Sequence, residues 1–325
     1  MADVVREMVQ PDYWERTTAA DSADGFAMIP LFSRGRDKHT WAALEKLLRT
    51  DHEKLKRPGA DRKGAVHDKM RMACAWRLEN PTLWADYLSG VGKVQRELKM
   101  IHQAGVAAPG GAPPETATIA ASLPGKIRDD VNETFLMHGT NGGVLLSILS
   151  AGMNERFAGS ACATAHGEGS YLAEDAGKCD QYVKIDESFN PRSELHKRLY
   201  GQPRAGPAKF DPDTGKPLHP GDVFYILVCR VALGHYVRAK DGNADSTSVD
   251  TGESVFASAG NRGAGNRREL STVAGVPVPV HHHSFLVDAY LRNMRYREFI
   301  IFHSDLMYPE YVIAYTRHDG DRKVK

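Results

Sequence analysis

The sequence predicts an α+β fold, a β-sheet core of mixed or antiparallel strands with flanking helices. Three observations carry that prediction. Strand-like segments dominate after residue 130, the helical segments are grouped rather than alternating with strands, and no internal repeat is present. With 325 residues and 42% hydrophobic content, the chain can bury one large core, or one core with a small appendage.

The elements follow in order. The first stretch, to about residue 25, is polar and aperiodic. "HTWAALEKLLRTDHEKLKR" (39–57) places Trp41, Leu44, Leu47, Leu48 and Leu55 near 3.6-residue spacing, an amphipathic helix. "KMRMACAWRL" (69–78) alternates, so Met70, Met72, Cys74, Trp76 and Leu78 share one face of a strand. Asn80-Pro81 breaks it, with proline well placed to open the helix that follows. That helix buries Leu83, Trp84, Tyr87, Leu88 and Val91. Residues 104–125 are rich in Ala, Pro and Gly and read as a flexible insertion.

Beyond it come a strand ending at His138, a helix over 143–152 closed by Gly152, and a glycine-broken loop. A strand over 170–174 and a short helix to about Val183 follow. The strong strand 223–233 is flanked by irregular stretches at 200–221 and 239–280, and strands at 297–302 and 310–315 complete the chain.

Several function classes are disfavoured. The 42 Lys and Arg nearly cancel the 41 Asp and Glu, so no global basic field argues for nucleic acid. No apolar run approaches the ~20 residues that span a bilayer, and the longest, 223–234, is interrupted by Arg230. The N-terminus carries no signal-peptide core. Cys74, Cys162, Cys179 and Cys229 form no paired framework, which suits a reducing compartment, cytoplasmic or nuclear. Phosphate-loop, dinucleotide-fold and nucleophile-elbow motifs are absent. His281-His282-His283, and Cys162 with His166, supply no four-ligand zinc spacing, so no metal is expected.

Three places remain. At the end of "FLMHGT" (135–140), His138 and Gly139 have two readings. They are a half-buried histidine and a turn glycine, or an imidazole and a bare backbone walling a ligand pocket. In "HGEGSYLAEDAGKCDQYV" (166–183), glycines bracket Glu168 ahead of Tyr171, and Tyr182 follows one short helix later. Tyrosines are commonly core, but the glycines permit close backbone approach to a flat ligand, and stacked aromatic faces suit a planar heterocycle. In "YREFIIF", alternation puts Glu298 on the face of Ile300 and Phe302, costly for an acid unless it is partnered or used. The other reading leaves Glu298 at an exposed strand start. Asp305 and Glu310 read as solvated loop and edge residues.

His138, Tyr171 and Glu298, in that order, resemble the His-Tyr-Glu triad of the poly(ADP-ribose) polymerases, the diphtheria-toxin-like ADP-ribosyltransferases. "MHGT" resembles the family's His-Gly-Ser/Thr. "GMNERFAGSACATAHGEGSYLAEDAGKCDQYV" and "HHHSFLVDAYLRNMRYREFIIFHSDLMYPEYVIAY" are similar to tankyrase segments, and "WRLENPTLWADY" (76–87) to the helix opening the domain in macrodomain-type members. The resemblance spans 27–317, with 104–125, 200–221 and 239–280 as loop expansions, leaving 1–26 and 318–325 as tails.

The resemblance implies a split-sheet fold with NAD as substrate, no metal, and a protein as acceptor of ADP-ribose. Carried over, His138 hydrogen-bonds the adenosine ribose, and Gly139 presents its backbone to the nicotinamide carboxamide. Thr140 reaches a ribose hydroxyl, Tyr171 and Tyr182 sandwich the nicotinamide ring, and Glu298 grips the 2′-hydroxyl of its ribose. Cys179 stands where relatives usually carry a serine that bonds the carboxamide. A cysteine is the poorer donor, and a partly exposed thiol there implies redox sensitivity. The expected activity is mono- or poly-ADP-ribosyl transfer. The alternative is a catalytically weak scaffold that keeps the fold for binding.

Overall fold

The structure, a computed structural model, describes residues 10–15, 25–49, 67–154, 164–203, 209–257, 267–288, 291 and 295–325. Among these residues the strands are β1 (Ala27–Leu31), β2 (Lys69–Glu79), β3 (Glu133–Thr140), β4 (Ser170–Ala173), β5 (Phe224–Ala232), β6 (Tyr236–Ala239), β7 (Ser284–Val287), β8 (Glu298–Ile301), β9 (Met307–Asp319) and β10 (Arg322–Val324). The α-helices are α1 (Lys38–Leu48), α2 (Pro81–Gln103), α3 (Ala117–Ala120), α4 (Gly142–Ala151), α5 (Ala176–Cys179) and α6 (Glu194–Leu199).

The strands form one sheet in the order β1-β2-β9-β5-β3-β4-β8-β7-β6, with β10 paired to β9. All neighbours are antiparallel except β6 and β7, which makes the sheet mixed, as expected. The join between β3 and β4 is a single register pair, Met137↔Ala173, whereas β3 and β5 pair along eight positions from Glu133↔Ala232 to Thr140↔Tyr225. The sheet is therefore nearly split between β3 and β4. Past Met137, that edge of β3 carries no strand among the described residues.

The larger half is covered on both faces. Along β5, Tyr225, Leu227, Cys229 and Val231 pack with Trp84, Tyr87, Val91 and Val94 of α2, while Ile226 and Val228 pack with Leu44 and Leu47 of α1. Two-sided burial explains why β5 is apolar at every position but Arg230 rather than alternating. Each fully buried aliphatic side chain there contributes roughly 1.5–3 kcal/mol. α2 begins where expected, with the Asn80 side chain accepting from the Leu83 N–H and Pro81 at the first helical position. The smaller half has its own core of Val237, Val255, Phe256, Leu270, Phe285, Val287, Ile300 and Phe302, against which Tyr171 packs.

Four sequence expectations change. Met70, Met72, Cys74, Trp76 and Leu78 do not share a face. The β2–β9 register shifts between Met72 and Cys74, and this one-residue bulge at Ala73 turns Met70 and Met72 toward α1 while Cys74, Trp76 and Leu78 face α2. Glu310 is not a solvated edge residue. It is the extra residue of a second irregularity, where Val228 pairs with Tyr311 and Cys229 with Pro309, and it is fully buried against Arg230 at 2.7 Å.

Residues 104–125 are not a loose insertion either. Arg297 donates to the Ala112 and Pro113 carbonyls, Arg230 to the Pro124 carbonyl, and Thr116, Ala120 and Leu123 are buried. Aperiodic composition hid a strap fastened by buried arginines. Finally, β1, β6, β7 and β10, the last within the stretch 318–325 expected to be a tail, were not expected. β1 contains Pro30 at a sheet edge, and β6 and β7 are four residues each, too short to show alternation.

In 239–280, the described residues are ordered by isolated bridges Thr247↔Ser254, Phe256↔Leu270 and Thr272↔His281. From the N-terminal stretch, Trp14 is buried beside Trp84 and Tyr308, and Tyr13 donates to Glu310. Leu55, expected at the end of α1, lies outside the described residues, as does Cys162.

Candidate active site

The seam between the two halves collects polar groups that nothing in the core would require. On β3, His138 Nδ1 lies 2.8 Å from the Tyr171 carbonyl. A carbonyl only accepts, so Nδ1 carries the hydrogen and Nε2 presents a lone pair. Burial lowers the His138 pKa from its ordinary 6.5 more than the Tyr171 carbonyl raises it, so the ring is a neutral acceptor at pH 7.

Gly139 answers a packing demand. A Cβ there would stand 2.1 Å from the Cys179 carbonyl oxygen, so no other residue lets α5 approach this closely. Cys179 is buried, and burial with nearby Asp175 pushes its pKa up, so it stays protonated. The partly exposed, oxidisable thiol that the sequence suggested is corrected to a buried one. Thr140 is buried at the end of β3, opposite Tyr225.

Across the seam, the Tyr171 hydroxyl accepts from the His166 N–H at 2.7 Å and donates to the Gly167 carbonyl at 2.8 Å. Burial leads in pushing its pKa up to about 12. Tyr182 ends the 3-10 turn after α5 and is 46% exposed, the ring most open to a guest. That turn is held from below, where Arg317 Nε donates to Asp180 at 2.9 Å.

Glu298 opens β8, in register with Ala173 of β4, on the Ile300 face that alternation predicts. Its side chain is 14% exposed, with Lys178 Nζ at 3.0 Å and His166 Nε2 at 3.5 Å, both on Oε1. Burial works to raise its pKa, but the His166 contact and the Lys178 charge outweigh it and hold the carboxyl below its ordinary value. Lys178 also lies over the Tyr182 ring, 5.2 Å from its centroid.

Sequence reasoning missed Lys178, and it considered His166 only as a metal ligand. A lysine one position before Cys179, between the two tyrosines, was the available signal. The seam thus offers two fixed acceptors, His138 Nε2 and Glu298, an exposed aromatic face and a bare glycine backbone. That donor–acceptor set fits a ligand rich in hydroxyls that carries a planar ring.

Asp186, His196 and His219 bring three metal-type ligand atoms within 4.8 Å of one another. Their hydrogen bonding runs against a cation. His196 Nδ1 accepts from the Asn190 N–H at 2.8 Å and His219 Nδ1 from the Gly221 N–H at 3.0 Å. Each neutral ring then carries its hydrogen on Nε2, and both point donors at Asp186 Oδ2, at 2.8 and 3.5 Å. A metal-bound histidine has the reverse arrangement, with its second nitrogen donating. His281 and His283 are each engaged elsewhere, with the Leu270 carbonyl and with Glu97.

Compared with known proteins, residues 51–317 match the family model of the poly(ADP-ribose) polymerase catalytic domain. No curated protein matches the chain.

Proposed function

The chain belongs to the poly(ADP-ribose) polymerase catalytic-domain family, a family of ADP-ribosyltransferases, and from that premise we propose that it transfers ADP-ribose from NAD to a protein acceptor. The observation that carries this reading is the succession of His138, Tyr171 and Glu298 on the neighbouring strands β3, β4 and β8, with His138 Nδ1 2.8 Å from the Tyr171 carbonyl and β4 paired to β8.

In this reading, His138 Nε2 accepts from a hydroxyl of the adenosine ribose. The Gly139 backbone, with Cys179 beside it, faces the carboxamide. The nicotinamide ring stacks between Tyr171 and Tyr182, and Thr140 lies toward the ribose. Glu298 accepts from the 2′-hydroxyl of the nicotinamide ribose. The bond that breaks joins C1′ to the nicotinamide nitrogen, and its electron pair leaves with neutral nicotinamide. Positive charge develops on the ribose, as in an oxocarbenium-like transition state. A carboxylate fixed beside that sugar stabilises the charge where it appears, without reorganising at the moment of reaction. The acceptor nucleophile then bonds C1′ and gives up its proton to solvent. Seating donor and acceptor in line supplies much of the remaining acceleration.

Glu298 is compatible with chain elongation as well as single transfer, because the same carboxylate polarises an acceptor hydroxyl. The second reading is a scaffold that binds without turnover, and Cys179 in place of a better donor is what favours it.

One experiment separates these. Purified protein is incubated with labelled NAD and resolved on a gel, beside Glu298→Gln and His138→Ala. Label on protein that is lost in both variants supports transfer, a smear meaning polymer and a sharp band meaning single units. NAD binding without any label points to the scaffold.

A further inference from the structure

Resting on the transferase reading above, we infer that His166 is a positioning residue for Glu298, the hold that sets the carboxylate's orientation before and during ligand binding. Two donors reach Oε1, and they are held very differently. Lys178 Nζ sits at the end of a flexible chain and also faces the Tyr182 ring, the surface a planar ligand would cover. Its contact with Glu298 is therefore exposed to rearrangement when a ring is seated.

His166 is fixed from three sides. Its N–H donates to the Tyr171 hydroxyl at 2.7 Å, and its ring lies 6.3 Å from that of Tyr171 with 31° between planes. Gly242 packs so closely that a Cβ there would stand 2.4 Å from the His166 Cα. Arg267 donates to the carbonyls of both Ala165 and Gly242, tying the two loops together, and its own carbonyl accepts from the Glu168 N–H. The 239–280 excursion thus acts as a clamp on the loop that carries His166.

The imidazole itself is placed at a cost. Nδ1 is buried with no hydrogen-bond partner among the described residues, while Nε2 points at Glu298. A buried ring nitrogen left unpaired calls for an explanation, and the one available is that the clamp orients the ring for Nε2. At 3.5 Å the contact is long for a hydrogen bond and acts as an ion-pair contact on Oε1. With Oε1 occupied by His166 and Lys178, the Oε2 edge is the one left to meet a ribose hydroxyl.

The titratable groups facing Glu298 are His166 from the loop, Lys178 from α5 and Tyr171 from β4. The test uses the full chain, first without NAD. The Glu298 carboxyl is followed by carbon-13 NMR, assigned by its loss in Glu298→Gln, across an acid titration. His166→Phe keeps the ring volume and removes the donor. His166→Gln keeps a donor.

The expected result is a Glu298 midpoint that rises in His166→Phe and returns toward wild type in His166→Gln. In nicotinamide release, His166→Phe lowers kcat about tenfold with the NAD KM within about twofold, since a misaligned carboxylate weakens the transition state more than binding, and His166→Gln recovers most of the loss. A midpoint unmoved in His166→Phe overturns the role of His166, whatever the turnover. A midpoint that moves in a protein whose wild type releases no nicotinamide upholds the hold on Glu298 and overturns the transferase reading instead.

Discussion

Glu310 and Glu298 are both carboxylates on strands, both drawn out of water, and their surroundings are opposite. Glu310 is fully buried at a bulge of β9, where it accepts from Arg230 Nε at 2.7 Å and from the Tyr13 hydroxyl at 2.8 Å. Arg230 also reaches Glu133 at 3.0 Å and the carbonyls of Pro124 and Lys126. Burial opposes the charge on Arg230, but Glu310, Tyr13 and Glu133 outweigh it and push its pKa up. Every direction is closed by protein. Glu298 stands at the strand start on the seam, holds on to a lysine and a histidine through one oxygen, and keeps an exposed face. Closure makes the first carboxylate a fastening of the core. Incomplete closure is what allows the second to act on a ligand.

Removing one partner of each cluster should separate the two roles. The largest effect is expected for Arg230→Ala, which leaves Glu133 and Glu310 buried without their cation. Urea denaturation should show a loss of about 3–5 kcal/mol. A loss below ~1 kcal/mol would mean that water or a neighbouring group replaces the guanidinium.

Next is Glu298→Gln. Nicotinamide release should fall about 10²–10³-fold, the scale of removing one preorganised electrostatic contact, while the stability lost at pH 7 is only that of its ion pairs, well short of the Arg230→Ala loss.

The pH dependence sharpens the contrast. Glu298 is held below the ordinary glutamate value of 4.5, so its ion pairs stabilise the fold fully above that value and progressively less as pH falls through the folded pKa. The stability difference between wild type and Glu298→Gln should therefore shrink from pH 7 to pH 3. A difference constant over that range would show that the Lys178 and His166 contacts do not act on the charged form.

The fold was legible wherever burial is one-sided or continuous. α2 showed its cap, its proline and its apolar face, and β5 showed an apolar run broken by Arg230 alone. What failed to show were features set by one extra residue. The bulge at Ala73 reverses the faces of Met70 and Met72, and the irregularity at Glu310 turns an apparent edge acid inward. Alternation cannot register either, because it presumes the period it is used to detect. In the seam, His138, Gly139, Tyr171, Tyr182 and Glu298 stood out by type and setting. Lys178 and His166 did not, since a lysine in a four-residue helix and a histidine in a glycine loop have no periodic signature. Gly139 was legible as a close approach, but the group that approaches it, the Cys179 carbonyl, emerges only from the packing of α5 on β3.

The smallest effect is expected at Cys179. Serine in its place offers a better donor beside the Gly139 backbone, worth about 1 kcal/mol. Cys179→Ser should lower the NAD KM a few-fold in steady-state assays with kcat little changed. An unchanged KM would place the thiol outside the ligand's reach.

The most direct test of the division between the two carboxylates is nicotinamide release per folded molecule, measured side by side for Glu298→Gln and Glu310→Gln. Release should collapse in Glu298→Gln although the protein is folded, and should persist in the folded fraction of Glu310→Gln although that fraction is smaller. Normal release from folded Glu298→Gln, or its loss from folded Glu310→Gln, would contradict the assignment of chemistry to the seam and of fastening to the core.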